Sequence, residues 1–124
     1  RAAAEGCAFV NLSLAIPPGP GSDVVAAACG AAIEAGCVIV ASARPDRPGW
    51  LPASAPGVHA VTADDSPDAD AVRECGVRRL VAPGRPRDLD GLPRASNLSG
   101  HSFACARGLI HLARRRVAAV TPSS

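Results

Sequence analysis

The chain has no Met, no Tyr and no Lys among its 124 residues, and its only aromatic side chains are those of Phe9, Trp50 and Phe103. With so few aromatics, a core must be built from Ala, Val, Leu and Ile, whose small side chains imply close packing between elements. The absence of Met predicts a fragment or a processed piece rather than a whole translation product. The charge is also sparse: the net charge of +2 is carried by scattered arginines, apart from the run Arg114–Arg116, so we expect no nucleic-acid partner.

Long apolar runs and paired cysteines are missing as well. No stretch of 18 apolar residues occurs and the N-terminal sequence lacks the order of a secretion signal, so we expect no membrane partner. The five cysteines are odd in number and include no CxxC pair, which argues against a zinc site or a disulfide framework. They are Cys7, Cys29, Cys37, Cys75 and Cys105. We expect buried free thiols, no metal, no cofactor and a reducing compartment, which favours the cytoplasm.

The first third of the chain shows a strand, a helix and a second strand. Residues 8–14 alternate between two faces, which predicts a half-buried strand. Ser22 is a suitable N-cap for a helix over residues 23–35, and Gly36 suits its C′ position. The apolar run over residues 37–42 is typical of a strand buried on both faces, so the unit is predicted to be a right-handed parallel crossover.

The rest of the chain continues the alternation of strands and helices. We predict strands over residues 58–62 and 77–81, a short helix from Ser66 to Cys75 closed by Gly76, and a loop over residues 83–99. Apolar residues at helical spacing predict a last helix over residues 101–118. The whole chain, residues 1–124, is therefore expected to form one α/β domain with a mostly parallel sheet flanked by helices.

Four segments occur in an order that resembles the C-terminal half of the subtilase family of serine peptidases. They are Ala31-Ala-Ile-Glu-Ala-Gly36, Pro52-Ala-Ser-Ala-Pro-Gly-Val-His-Ala-Val61, Val81-Ala-Pro-Gly84 and Gly100-His-Ser-Phe-Ala104. The resemblance covers roughly residues 8–116 and implies a partial subtilisin-like three-layer fold. In that family the serine of the last segment is the nucleophile at the start of a buried helix, which implies that Ser102 descends from such a serine. Serine is also a common N-cap residue, so capping alone is the alternative explanation.

The same resemblance implies that the rest of the catalytic machinery is missing. The family's Asp and His precede the segment matched by Val10–Leu14, and the expected position of its oxyanion Asn is taken by Arg44-Pro45, where proline has no N–H to donate. The spacing of the histidines also argues against a base within the chain. His101 is adjacent to Ser102 and should point away from it, and His111 lies about 13 Å farther along a helix. His59 falls in a predicted strand.

The resemblance also implies where a peptide would lie. Ser13-Leu14-Ala15 corresponds to the family's edge that pairs with substrate backbone, and Ala41-Ser42-Ala43 corresponds to the opposite wall of the cleft. Such edges bind peptide by strand addition, which needs no catalytic group. The alternative is that these six are ordinary sheet residues.

Three functional hypotheses remain. The preferred one is a truncated, non-catalytic subtilase-like domain that binds peptide or acts as a scaffold. The alternative is a serine endopeptidase whose Asp and His come from an upstream segment or a partner chain. A doubly wound small-molecule enzyme has little support, because no Gly-rich phosphate loop is present, and the acidic residues 64, 65, 68 and 70 fit no metal loop.

Exposed sheet edges predict a covering polypeptide or a dimer mate.

Overall fold

Two helices and five strands make up the described part of a computed structural model, which comprises residues 9–66, 68–85, 90–91 and 100–120, with side chains of the last helix to residue 116. The elements follow in chain order: β1 (Phe9–Leu12), α1 (Ser22–Glu34), β2 (Val38–Ala43), β3 (His59–Asp64), β4 (Arg73–Gly76), β5 (Arg79–Pro83) and α2 (His101–Val120). The strands form one sheet in the order β1-β2-β3-β5-β4. Every neighbouring pair is parallel except β4 with β5. The predicted α/β class with a mostly parallel sheet is confirmed.

The helices lie on opposite faces of the sheet, and each covers a core of small apolar side chains. On the α1 face, Cys29 packs with Ile39 and Ala41 of β2. On the α2 face, Ala104 and Cys105 pack with Val40 and Val61. Because β2 is covered on both sides, its four central residues are buried, as the continuous apolar run predicts.

Helix α1 ends as the sequence predicts but begins differently. Gly36 has a φ of 99°, its N–H donates to Ile33 O, and the N–H of Cys37 donates to Ala32 O, which is the Schellman pattern. At the other end the prediction of a Ser22 cap is wrong, because Gly21 is the N-cap residue and has a left-handed backbone. Ser22 is the first helical residue instead, and its hydroxyl donates to Gly19 O at 2.7 Å.

The predicted helix over residues 66–75 is wrong, since its last three residues belong to β4, which is antiparallel to β5. At the start of this segment, side-chain oxygens accept hydrogen bonds from backbone N–H groups. Ser66 N donates to Asp64 Oδ1, and Asp68 N donates to Ser66 Oγ. Such local bonds favour a turn over a helix. The chain then reverses direction at Arg78, which has a left-handed φ of 52°. Strand β5 therefore begins at Arg79 and not at residue 77, the start that the sequence predicts.

The remaining predictions on elements differ only in their bounds. Strand β1 is shorter than the predicted 8–14, β3 extends two residues beyond 62, and α2 extends two residues beyond 118. Of the predicted loop over residues 83–99, residues 86–89 and 92–99 lie outside the described residues. Among the cysteines, Cys29, Cys37 and Cys105 are buried as predicted, Cys75 is exposed against the prediction, and Cys7 lies outside the described residues.

Candidate functional site

The start of α2 meets the carboxyl ends of the parallel strands, which is the edge where α/β proteins bind ligands. The N–H of Gly100 donates to Gly84 O at 2.5 Å, and the N–H of Gly84 donates to Asp64 O at 3.2 Å. A side chain at residue 84 would crowd this junction, because its Cβ would lie 3.0 Å from Asp65 Oδ1. These contacts fix residues 100–102 beside the ends of β3 and β5.

A second contact ties α2 to β2. The buried hydroxyl of Ser42 donates to His101 O at 3.4 Å. Ser102 follows within the first turn of α2, with an exposed side chain. Because α2 begins at His101, Ser102 is inside the helix and is not its N-cap. The structure gives the Ser102 hydroxyl no hydrogen-bond partner among the described residues.

The three histidines have other surroundings. The Nδ1 atom of His101 is buried without a hydrogen-bond partner among the described residues, although it is adjacent in sequence to Ser102. His111 lies 3.3 Å from Glu74 Oε2 on β4. The pKa of His59 on β3 is lowered by burial and by the positive charge of Arg78, with a smaller opposing effect from Glu74. In the described part of the chain, none of them makes a hydrogen bond to Ser102.

Next to the same edge lies a polar cluster that the sequence alone does not reveal. Cys105 Sγ donates to Asn11 Oδ1 at 2.8 Å, and Ser13 Oγ donates to the same oxygen at 3.3 Å. Burial raises the pKa of the Cys105 thiol, and hydrogen bonds from Ser42 and Ser13 oppose that effect in part. The thiol is therefore a buried donor that joins α2 to β1. The only sequence signal was the alternation of residues 8–14, which places Asn11 and Ser13 on the same face of the first strand.

The six predicted peptide-contacting residues differ in exposure. Register pairs Leu12 with Ala41, so Ser13-Leu14-Ala15 follows β1 beside the end of β2. Ser13 is exposed and Leu14 is 48% exposed, whereas Ala15 is half-buried. Ala41 and Ser42 are buried and Ala43 is half-buried. Ser13 and Leu14 therefore present their side chains to solvent, while Ala41 belongs to the core beneath α1.

Arg44-Pro45, at the expected oxyanion position, opens onto a cavity of about 620 Å³, here termed the arginine cavity. Its polar lining includes Arg44, Arg47, Arg78, Arg79 and Cys75, and Trp50 contributes an aromatic wall. The Nε atom of Arg44 is buried, lies 3.9 Å from Asp46 Oδ1 and has no hydrogen-bond partner among the described residues. The guanidinium of Arg47 lies over the Trp50 ring, 4.6 Å from its centroid.

Two further properties of the same described residues concern metal binding and membrane crossing. No three His, Cys, Asp or Glu side chains among them stand together in a way that could hold a metal ion. Asp64, from the acidic segment, instead contacts Arg73 at 3.4 Å. Neither helix of this described part combines the length and the apolar content needed to cross a membrane.

Comparison with known proteins adds no assignment. No protein-family model matches the chain, and no curated protein matches it either.

Proposed function

We propose that the chain is a truncated subtilisin-like, serine peptidase-related domain that binds extended peptide without cleaving it. Support comes from the mostly parallel three-layer arrangement and from the position of Ser102 in the first turn of α2, beside the carboxyl ends of the strands. The four resembling segments occur in the same order along the chain. The subtilisin-like assignment is part of this proposal.

The observation that carries peptide binding is the edge position of β1. Among the described strands, β1 pairs with β2 alone, and the exposed residues Ser13 and Leu14 follow it directly. A strand with one unpaired side offers backbone donors and acceptors to an incoming extended chain. The half-exposed Leu14 side chain adds an apolar contact at the end of that strand.

Binding without cleavage is supported by the surroundings of Ser102. Nucleophilic serine needs a base within hydrogen-bond reach and donors for the developing oxyanion. His111 is engaged with Glu74, and no described histidine bonds to Ser102. Pro45 has no N–H to offer at the expected oxyanion position. The hydroxyl of Ser102 therefore remains an ordinary alcohol in the chain by itself.

Peptide binding can be measured by fluorescence anisotropy with a fluorescein-labelled octapeptide of alternating Val and Ser, which favours the extended conformation. Leu14→Asp should raise the Kd about tenfold, because it places a charge beside the bound strand. The matched control is Val24→Asp, since Val24 is an exposed apolar residue of α1 at 72% exposure. Ser102→Ala should leave the Kd unchanged.

Two outcomes would contradict the proposal. One is the absence of any anisotropy change up to millimolar protein, and the other is an equal effect of both aspartate variants. Mass spectrometry of the peptide after incubation tests the second half of the proposal. Cleavage products that disappear with Ser102→Ala would show that the chain alone is a peptidase.

A second candidate function is a serine endopeptidase whose Asp and His are supplied by an upstream segment or a partner chain. The exposed hydroxyl of Ser102 near the N-terminus of α2 favours it, because helix N–H groups stabilise negative charge there. A fluorophosphonate probe should then label Ser102 in the longest form of the protein that cells produce, and not in the 124-residue chain. A longer form that stays unlabelled would eliminate this candidate.

The side of β1 that pairs with no described strand also supports association with another polypeptide or a second copy of the chain. Sedimentation at micromolar concentration should therefore show a species larger than the monomer. A monodisperse monomer under these conditions would count against a covering partner. The buried free thiols are compatible with a reducing compartment, so cytoplasmic localisation stays a prediction.

A further inference from the structure

The arginine cavity lies between the segment that follows β2 and the β3-β5-β4 side of the sheet. On one side its walls come from residues 43–45, 47–50 and 53–58, and on the other from Ala60, Thr62, Cys75 and residues 77–80. At about 620 Å³ it falls within the range of about 300–1,000 Å³ that is common for small-molecule sites. Trp50, Val58 and Leu80 supply apolar lining, so the cavity can accept an organic ligand as well as an inorganic ion.

The charged residues that line the cavity are all positive. Four arginines, and no Asp or Glu, are among the described residues that line the cavity. The carboxylate of Asp46, which lies between two lining residues in the sequence, contacts both Arg44 and Arg47, at 3.9 and 3.8 Å. One carboxylate thus faces two guanidinium groups at distances too long for good hydrogen bonds.

The other two arginines have no carboxylate partner in the described structure. Neither Arg78 nor Arg79 forms an ion pair there, although they are adjacent on the chain and both line the cavity. Arg78 occupies a left-handed backbone position, φ 52°, which holds it at the turn between β4 and β5. The pKa of nearby His59 is lowered first by burial and then by the charge of Arg78, against a smaller opposing effect of Glu74.

We infer that the arginine cavity binds a small organic molecule carrying phosphate or carboxylate groups. Arginine matches both oxyanions with paired N–H donors, and the apolar wall around Trp50 and Leu80 accommodates the rest of the ligand. Such a ligand would neutralise guanidinium groups that the described chain leaves without a carboxylate. Anion binding here is independent of peptide binding at β1, because the lining residues are different.

Isothermal titration calorimetry with pyrophosphate and with citrate tests the inference and separates the two oxyanions. Both probes carry several negative charges, and each should bind to the wild-type chain in about 0.15 M salt, the condition used for every variant. Replacing the two arginines that lack a carboxylate, Arg78→Asn with Arg79→Gln, should weaken binding at least about tenfold, because it removes two charged donors of hydrogen bonds to the anion. Asn is chosen at residue 78 because it tolerates the left-handed backbone.

The matched control removes the same charge elsewhere. Arg114→Gln with Arg116→Gln changes two exposed arginines of α2 that do not line the cavity. It should change the Kd less than about twofold in about 0.15 M salt, because distant surface charges are screened. Thermal melting of both double variants without ligand shows whether the fold is retained.

Cys75 provides a direct readout of location, because it is exposed and lines the cavity. Neutral iodoacetamide should alkylate it, and bound pyrophosphate or citrate should slow that reaction, as measured by peptide mass spectrometry. Tighter binding of pyrophosphate than of citrate would identify phosphate as the preferred group, and the reverse order would identify carboxylate. The inference is overturned if neither probe binds at millimolar concentration, if both double variants weaken binding equally, or if binding leaves Cys75 alkylation unchanged.

Discussion

Cys105 Sγ donates a hydrogen bond to Asn11 Oδ1 at 2.8 Å, joining two residues that are 94 positions apart in the sequence. The contact connects the second turn of α2 to the centre of β1 and is accompanied by a longer contact from the thiol to Val40 O at 3.6 Å. Because the Cys105 side chain is fully buried, its polar hydrogen needs these acceptors. The thiol therefore adds a polar contact to the apolar packing that holds α2, and with it Ser102, against the sheet.

The thiols should differ sharply in reactivity. Burial raises the pKa of Cys105 and of Cys29, which lowers the thiolate fraction and blocks access. Cys75 is exposed, so iodoacetamide should modify it first in the folded protein. Peptide mass spectrometry after a short reaction at about pH 8 should find alkylated Cys75 and unmodified Cys105, and urea should make both reactive. Equal modification of the two without urea would contradict the buried position of Cys105.

A side chain at Gly108 should destabilise the fold, because α2 crosses β3 closely there. A Cβ at residue 108 would lie 2.5 Å from Val61 Cγ2, in a part of the core that is fully buried. Gly108→Ala should lower the free energy of unfolding by about 1–3 kcal/mol, measured by urea denaturation. Val61→Ala should recover part of this loss when combined with Gly108→Ala.

The control for Gly108 is another helical glycine with open space around it. Gly30 lies within α1, and a Cβ added there would meet no neighbouring side chain within 4 Å. Gly30→Ala should stabilise the protein by up to about 1 kcal/mol through helix propensity alone. Equal effects of the two alanine substitutions would mean that α2 does not approach β3 as described.

Stability in acid should depend on Glu74. Hydrogen bonds from His111 and then Arg115 hold the pKa of this carboxyl below its ordinary value of 4.5. A group with a lowered pKa in the folded state stabilises the fold above its unfolded pKa and loses that contribution as the pH falls. The midpoint of urea unfolding should therefore drop more steeply below about pH 4.5 in the wild type than in Glu74→Gln. Glu34→Gln, at the exposed end of α1, should keep the wild-type profile.

His59 should titrate below its ordinary pKa of 6.5, because burial and the charge of Arg78 both disfavour the imidazolium. Because the imidazole of His59 binds a proton more readily in the unfolded chain than in the folded one, the free energy of unfolding falls as the pH drops below about 6.5. An NMR titration of the imidazole signals measures this pKa. Arg78→Asn should raise it towards 6.5, while Arg114→Gln should leave it unchanged. A His59 pKa that does not respond to Arg78→Asn would contradict their proximity.

Several features of the fold could be predicted from local sequence because their causes are local. The apolar run before Ala43 indicates a strand covered on both faces, and Gly36 after a helical segment indicates a left-handed C′ position. Spacing of apolar residues after Gly100 gives the last helix almost to its observed end. These signals lie within one turn or one strand, and here the tertiary structure agrees with them.

The candidate site could be predicted only in part. The sequence predicts Ser102 in the first turn of a helix that begins at residue 101, and α2 does begin at His101. The cluster of Cys105 with Asn11 could not be predicted, since a buried polar residue reveals nothing about its partner until two distant segments meet. The same holds for the arginine cavity, whose walls come from segments on either side of β3.

The sequence by itself determined the α/β class, the parallel crossover through α1 and the helix that carries Ser102, because periodicity and glycine positions act over a few residues. Only the tertiary structure decided that Arg73–Gly76 is a strand. Local propensity there allowed a helix, but pairing with β5 and the contact of Glu74 with α2 satisfy the backbone and the carboxylate together. Such long-range contacts outweigh the small preference of a short segment, and they also brought four arginines to one cavity.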